Sequence, residues 1–121
     1  MKVSAILFCA LLLCTSVSFA QESNHNVDGS GKVILDNSKV EVVQYVGQSQ
    51  DNVCGIGKHH HDAHLTVALT DAKLLITLPD GKQQTVEIPS GAAIWFEAGT
   101  HSVINEGNKE TKFLLVYLKN K

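Results

Sequence analysis

No arginine occurs among the 121 residues of this chain, whose ten lysines face twelve aspartates and glutamates. Nucleic-acid binding draws on a basic excess and on the guanidinium fork, so no nucleic-acid partner is expected, nor a substrate clamped bidentately through a carboxylate. Proline is confined to Pro79 and Pro89, and tryptophan to Trp95. Nor is any apolar run long enough to span a bilayer, which takes about 18–20 residues. The longest, Val3 to Leu13, follows Lys2 and leads into the small-residue stretch Ser18-Phe19-Ala20, with polar Gln21-Glu22-Ser23 directly after it. These are the three regions of a secretory signal peptide, so residues 1–20 are expected to be cleaved after Ala20. A secreted or periplasmic chain with no membrane association is then expected. A lipoprotein site at Cys14 is disfavoured by bulky Leu13 before it.

Cysteine is scarce as well. Cys9 and Cys14 depart with the leader and leave Cys54 alone, so no internal disulfide can staple the exported domain. Cys54 reads as a small buried apolar residue, with a metal or redox role as the alternative. Residues 21–31, rich in Asn, Ser and Gly, read as a flexible arm in which His25 is solvated. Residues 32–121 form one domain, large enough for a modest core but not for two.

That domain reads as all-β. Runs rich in Val, Ile, Leu and Thr recur between turn residues, at the spacing of sandwiches and barrels, and no helical period appears. The strands expected are Val33–Leu35, Val40–Val46, Leu65–Thr70, Lys73–Leu78, Gln84–Ile88, Ala92–Phe96, Ser102–Asn105 and Lys112–Leu118. Pro79-Asp80-Gly81 supplies a tight hairpin, Pro89-Ser90-Gly91 the next turn, and Glu97-Ala98-Gly99-Thr100 a reversal that starts a strand at His101. Tyr45, Phe113, Tyr117 and Trp95 are expected in the core or an interface, and the run Phe113–Leu118, apolar on both faces, reads as a strand covered on both sides.

Chemistry concentrates in the histidines. His59, His60, His61 and His64 fall within seven residues, and His101 lies downstream. Imidazole is the commonest side-chain metal ligand. In an extended segment His59 and His61 share a side while His60 faces away. A bend at Asp62-Ala63 brings His64 in from a third direction, and a neighbouring strand delivers His101. The expected ligand set is therefore His59, His61, His64 and His101, with Asp62 orienting a ring nitrogen. An all-imidazole site with open positions suits Fe, Mn, Cu, Ni or Zn as the divalent cation.

The segment His59-His60-His61-Asp62-Ala63-His64-Leu65-Thr66-Val67-Ala68-Leu69, followed by Gly91 through Asn105 with its Gly99-Thr100-His101 and Asn105, resembles the two motifs of the cupin superfamily, in the right order and with the Pro79-Asp80-Gly81 hairpin between them. The resemblance runs from about Val33 to Leu118. It implies an antiparallel β-barrel or jelly roll, a metal in the barrel, and a homodimer. The family's glutamate ligand is absent: it aligns at Leu69, and His64 replaces it. Two functions stay open. One is a metal-dependent enzyme of oxygenase or isomerase type acting on a small organic molecule, for which Glu41, Glu87 and Glu97 are the candidate acids or bases. The other is a non-catalytic barrel that binds or senses a small molecule or the metal.

Overall fold

The computed structural model describes residues 31–120. The leader, with Cys9 and Cys14, and nearly all of the proposed arm, with His25, therefore lie outside the described residues. Nine antiparallel strands follow: β1 Lys32–Asp36, β2 Val40–Gly47, β3 His59–His61, β4 His64–Ala68, β5 Ala72–Thr77, β6 Gln83–Ile88, β7 Ala93–Phe96, β8 Gly99–Asn105 and β9 Thr111–Leu118. They form a five-stranded sheet, β1-β2-β9-β4-β7, and a four-stranded sheet, β3-β8-β5-β6. No helix occurs among the described residues; the fold is all-β, as the pattern predicts, and the antiparallel jelly roll that the resemblance implies.

Alternation decides which side chains meet between the sheets. Along β9 every second residue, Thr111, Phe113 and Leu115, is buried. Register carries this face across neighbouring strands, so Val43, Leu115, Thr66 and Ile94 stand in one inner row. Ala72, Leu74, Ile88 and Val103 come from the other sheet and, with Phe113, Leu115, Ala68, Val53 and Cys54, complete the core. The opposite row, Leu35, Val42, Val116, Leu65 and Trp95, crosses all five strands of the larger sheet on its outer face. Trp95 is 47% exposed there, so it is not the packing residue its aromatic character predicts. Its Nε1 donates to Glu97 Oε1 at 3.0 Å. β9 is thus covered within the chain on its inner face, while Leu114 and Val116 on the outer face are half-buried.

The turns are as their residues dictate. Gly81 takes φ 84° in the β5–β6 hairpin, where its N–H donates to Leu78 O at 2.9 Å and Asp80 Oδ1 accepts from Lys82 N at 3.0 Å. Asn105, fully buried, ties three segments together. Its Nδ2 donates to Gly47 O (3.2 Å) and Lys109 O (2.7 Å), and its Oδ1 accepts from Gly107 N (2.9 Å).

Two boundaries differ from expectation in a way that matters for the site. β8 starts at Gly99 rather than Ser102, because Gly99, Thr100 and His101 pair with β3. β3 itself, three histidines with no apolar alternation, carries no strand signal of its own and exists through that non-local pairing. β4 spans His64–Ala68 rather than Leu65–Thr70, which makes His64 the first residue of a strand in the larger sheet.

Candidate metal centre

The β3–β8 ladder sets His59 directly opposite His101, His60 opposite Thr100 and His61 opposite Gly99. His59 and His61 share the inner face, with ring centroids 4.7 Å apart, and His101 lies 4.9 Å from His59 and 5.5 Å from His61. His60 points outward, to Thr100 Oγ1 at 3.1 Å and Asp62 Oδ1 at 3.7 Å. Asp62 accordingly engages the outward-facing His60 through its carboxylate and touches His64 through its carbonyl.

The fourth donor of the cluster is Cys54. Its Sγ is 3.3 Å from His59 Nε2 and 3.8 Å from His101 Nε2. One donor atom each from Cys54, His59, His61 and His101 lie within 4.8 Å of one another. The loop after β2 is fastened to β8 beside the ladder, through Val53 N to Val103 O at 3.2 Å and a bridge between Asn52 and Ile104, which delivers Cys54 to this point. Gly55, at φ 145°, follows it, and a Cβ there would stand 2.7 Å from His59 Cγ, so a glycine leaves the space in which that ring lies. Sequence reasoning set Cys54 aside because a buried cysteine and a ligating one look alike in a sequence. Its position five residues before His59 is the available signal.

His64 is brought near but lies outside this four-donor group. It enters from the opposite sheet, its Nδ1 2.7 Å from Asp62 O, its ring stacked on Phe96 at 5.8 Å and 5.2 Å from that of His61. The alignment of the family's glutamate with Leu69 also fails in space. Leu69 lies beyond β4 and is exposed, whereas Thr66, buried on the inner face, lines the cavity between the sheets with Cys54, His61, His64, Phe96 and His101. That cavity measures about 50 Å³ and, among the described residues, no aspartate, glutamate or lysine lines it. An open groove of about 520 Å³ reaches His59 and His61 from outside, past Glu41, Tyr45 and Tyr117. Of the three candidate glutamates, Glu41 faces this groove. Glu97 is engaged with Trp95, and Glu87 lines a depression with Asp71 and Lys73 that shares no residue with the cluster.

Hydrogen bonds settle which nitrogens are free to ligate. A carbonyl only accepts, so His59 Nδ1 donates to Gly57 O at 2.9 Å and His64 Nδ1 donates to Asp62 O. Both rings therefore carry the lone pair on Nε2. His61 Nδ1 is 2.8 Å from the Tyr117 hydroxyl, and its Nε2 is the buried side-chain nitrogen left without a partner among the described residues. Such an orphan is costly, by about 1–3 kcal/mol, unless a cation or another group completes it. Burial, with repulsion from neighbouring imidazoles, pushes His61 and His101 down to about 4, so both are neutral at physiological pH. Burial pushes the Cys54 thiol up to about 12, and it also raises the Tyr117 and Tyr45 phenols. Two neutral imidazoles, His61 and His101, a third, His59, anchored through Nδ1 to a carbonyl, and an unpartnered buried nitrogen fit a transition-metal cation.

A double-stranded β-helix barrel with inward histidines at one end is the class of protein these features define. The chain resembles a cupin-domain protein of Bordetella pertussis, at 25% identity over 78% of this chain and 96% of that one, with a TM-score of 0.69. It also resembles the polyketide cyclase RemF of Streptomyces resistomycificus (17% identity, 78% and 70% of the two chains, TM-score 0.58). A third likeness is to a sugar phosphate isomerase of the cupin superfamily from Silicibacter pomeroyi (20%, 78% and 62%, 0.54). No protein-family model matches the chain, and no curated protein matches it by sequence. The chain thus has the fold of the cupin superfamily.

Proposed function

We propose that this protein is an exported cupin that binds one divalent transition metal through His59, His61 and His101, with a small uncharged organic molecule as its ligand or substrate. The observation that carries the reading is the buried, unpartnered His61 Nε2 beside two further imidazoles and a thiol. The metal, once bound, supplies Lewis-acid or redox chemistry. The chain's own groups do the rest. The Tyr117 hydroxyl and the Gly57 carbonyl hold the rings, and Glu41, in the open groove that Asp62 also lines, is the glutamate placed to take or give a proton.

The absence of charged side chains from the cavity lining favours an uncharged ligand. A cyclase and an isomerase are among the proteins of similar fold, which agrees with an enzymatic reading of isomerase or oxygenase type. A non-catalytic metal- or ligand-sensing barrel is the second reading, favoured by the small volume, about 50 Å³, of the cavity between the sheets. Export rests on the leader-like residues 1–20. A homodimer rests on the apolar outer row from Leu35 to Trp95, which a second copy would cover. Loss of a dimer in Val116→Lys, seen by sedimentation, tests it.

Elemental analysis of the untagged protein, purified without chelator beside a His59→Ala, His101→Ala double variant, tests the central claim. About one transition metal per chain, absent from the variant, is expected. A wild-type protein that is empty and takes up no added metal overturns it.

A further inference from the structure

Cys54 is the part of the cluster that neither the family resemblance nor the histidine spacing accounts for. It is buried and, among the described residues, is the free cysteine, so no disulfide explains its position. Its distances carry information. A tetrahedral centre with metal–sulfur bonds of about 2.3 Å and metal–nitrogen bonds of about 2.0 Å has sulfur–nitrogen edges of about 3.5 Å. Cys54 Sγ stands 3.3 Å from His59 Nε2 and 3.8 Å from His101 Nε2, on either side of that value. His61, 7% exposed, adds a buried Nε2 with no partner among the described residues as an independent observation that points to a ligand at this position. His64, the competing fourth ligand, is held against Phe96 and the Asp62 carbonyl in the other sheet and is outside the set of four mutually close donors.

We propose that Cys54, as a thiolate, is the fourth protein ligand, making the site a three-histidine, one-cysteine centre for a thiophilic cation such as Zn(II) or copper rather than Mn(II). The inference rests on the metal-binding reading above. Binding breaks the S–H bond and forms a sulfur–metal bond, and the proton passes to the buffer, so one proton is released per metal bound. A thiolate discriminates by softness, which carboxylate-completed sites do not.

The test is titration of Co(II) into the metal-free protein, with Cys54→Ser, Cys54→Ala and His64→Ala alongside. An intense near-ultraviolet thiolate-to-cobalt absorption is expected in wild type and His64→Ala and in neither cysteine variant. In Cys54→Ser, preference for Zn(II) over Mn(II) falls at least about tenfold, and calorimetry in two buffers finds one proton fewer released. The wild-type spectrum decides the matter even should both cysteine variants misfold. Cobalt bound by wild type without that absorption overturns the proposal and leaves an all-imidazole site. Failure of wild type to bind Co(II) or Zn(II) overturns the metal-binding reading itself.

Discussion

His59 and His101 are direct cross-strand partners, their rings 4.9 Å apart at 81°, although 41 intervening residues separate them along the chain. The pairing makes the ladder and the candidate metal centre one object, because the three-residue β3 is held to the barrel by the edge of β8 that carries His101. His60, on the other face of β3, shares the ladder and not the centre. Replacing His101 or His61 with Ala should therefore lower metal affinity by about tenfold or more, while His60→Ala changes it little. Competition against a chromogenic chelator reads this ranking, and equal losses at all three would mean that strand alternation does not govern the site.

Gly55 places the ring of His59 without touching a metal. A methyl group at this residue would meet His59 Cγ at 2.7 Å, and φ 145° is a conformation that side chains other than glycine's rarely adopt. Gly55→Ala should weaken metal binding by about tenfold through displacement of His59 and lower the melting temperature of the metal-free protein by several degrees, in line with strain of about 1–3 kcal/mol. Unchanged affinity, despite a lowered melting temperature, would show that His59 is not a ligand.

The depressed imidazoles give the metal-free protein a defined pH dependence. His61 and His101 titrate at about 4 in the folded chain, against 6.5 for a solvated imidazole, so between these values the unfolded chain binds more protons than the folded one. Stability is consequently full above pH 6.5 and lost as pH falls toward 4. With His101 only half-buried, solvent screening reduces the effect to the order of 1–2 kcal/mol for the pair. Urea unfolding of chelator-treated protein at pH 7 and pH 4.5 measures it, and a His61→Gln, His101→Gln variant should show a smaller difference. Equal stability of the wild type at the two pH values would mean that these rings are better solvated than their surroundings imply.

The sequence made the barrel legible because short runs rich in Val, Ile, Leu and Thr recur between turn residues and the Asp80-Gly81 turn is chemically explicit. It made three of the four clustered donors legible through the parity of His59 and His61 and the motif position of His101. Cys54 was not legible, since its place depends on a loop fastened to β8 by backbone bonds from Val53, which no side-chain pattern encodes. His64 was legible as the start of the next strand, and it does begin β4, three residues after β3; that β4 lies in the opposite sheet, which sets His64 apart from the four mutually close donors, depends on non-local pairing. Trp95 misled because aromatic character does not say which face of a strand turns inward, and on the edge strand β7 the inner-row residue beside Trp95 is Ile94.

Asn105 separates structure from chemistry within the second motif. It lies four residues after His101 on the same strand and the same inner face, yet its amide is spent on Gly47, Lys109 and Gly107, which closes the β8–β9 turn onto the end of β2. Removing it would take a donor from the Lys109 and Gly47 carbonyls, the latter keeping the Thr111 hydroxyl, and the acceptor from Gly107 N–H, at a cost of about 2–4 kcal/mol. Asn105→Ala should accordingly lower the urea midpoint substantially while leaving metal stoichiometry at 15 °C intact, the reverse of the pattern for His101→Ala. If Asn105→Ala instead lost its metal while retaining its urea midpoint, the asparagine would belong to the centre, and the division between the anchoring end of β8 and its ligating end would have to be abandoned.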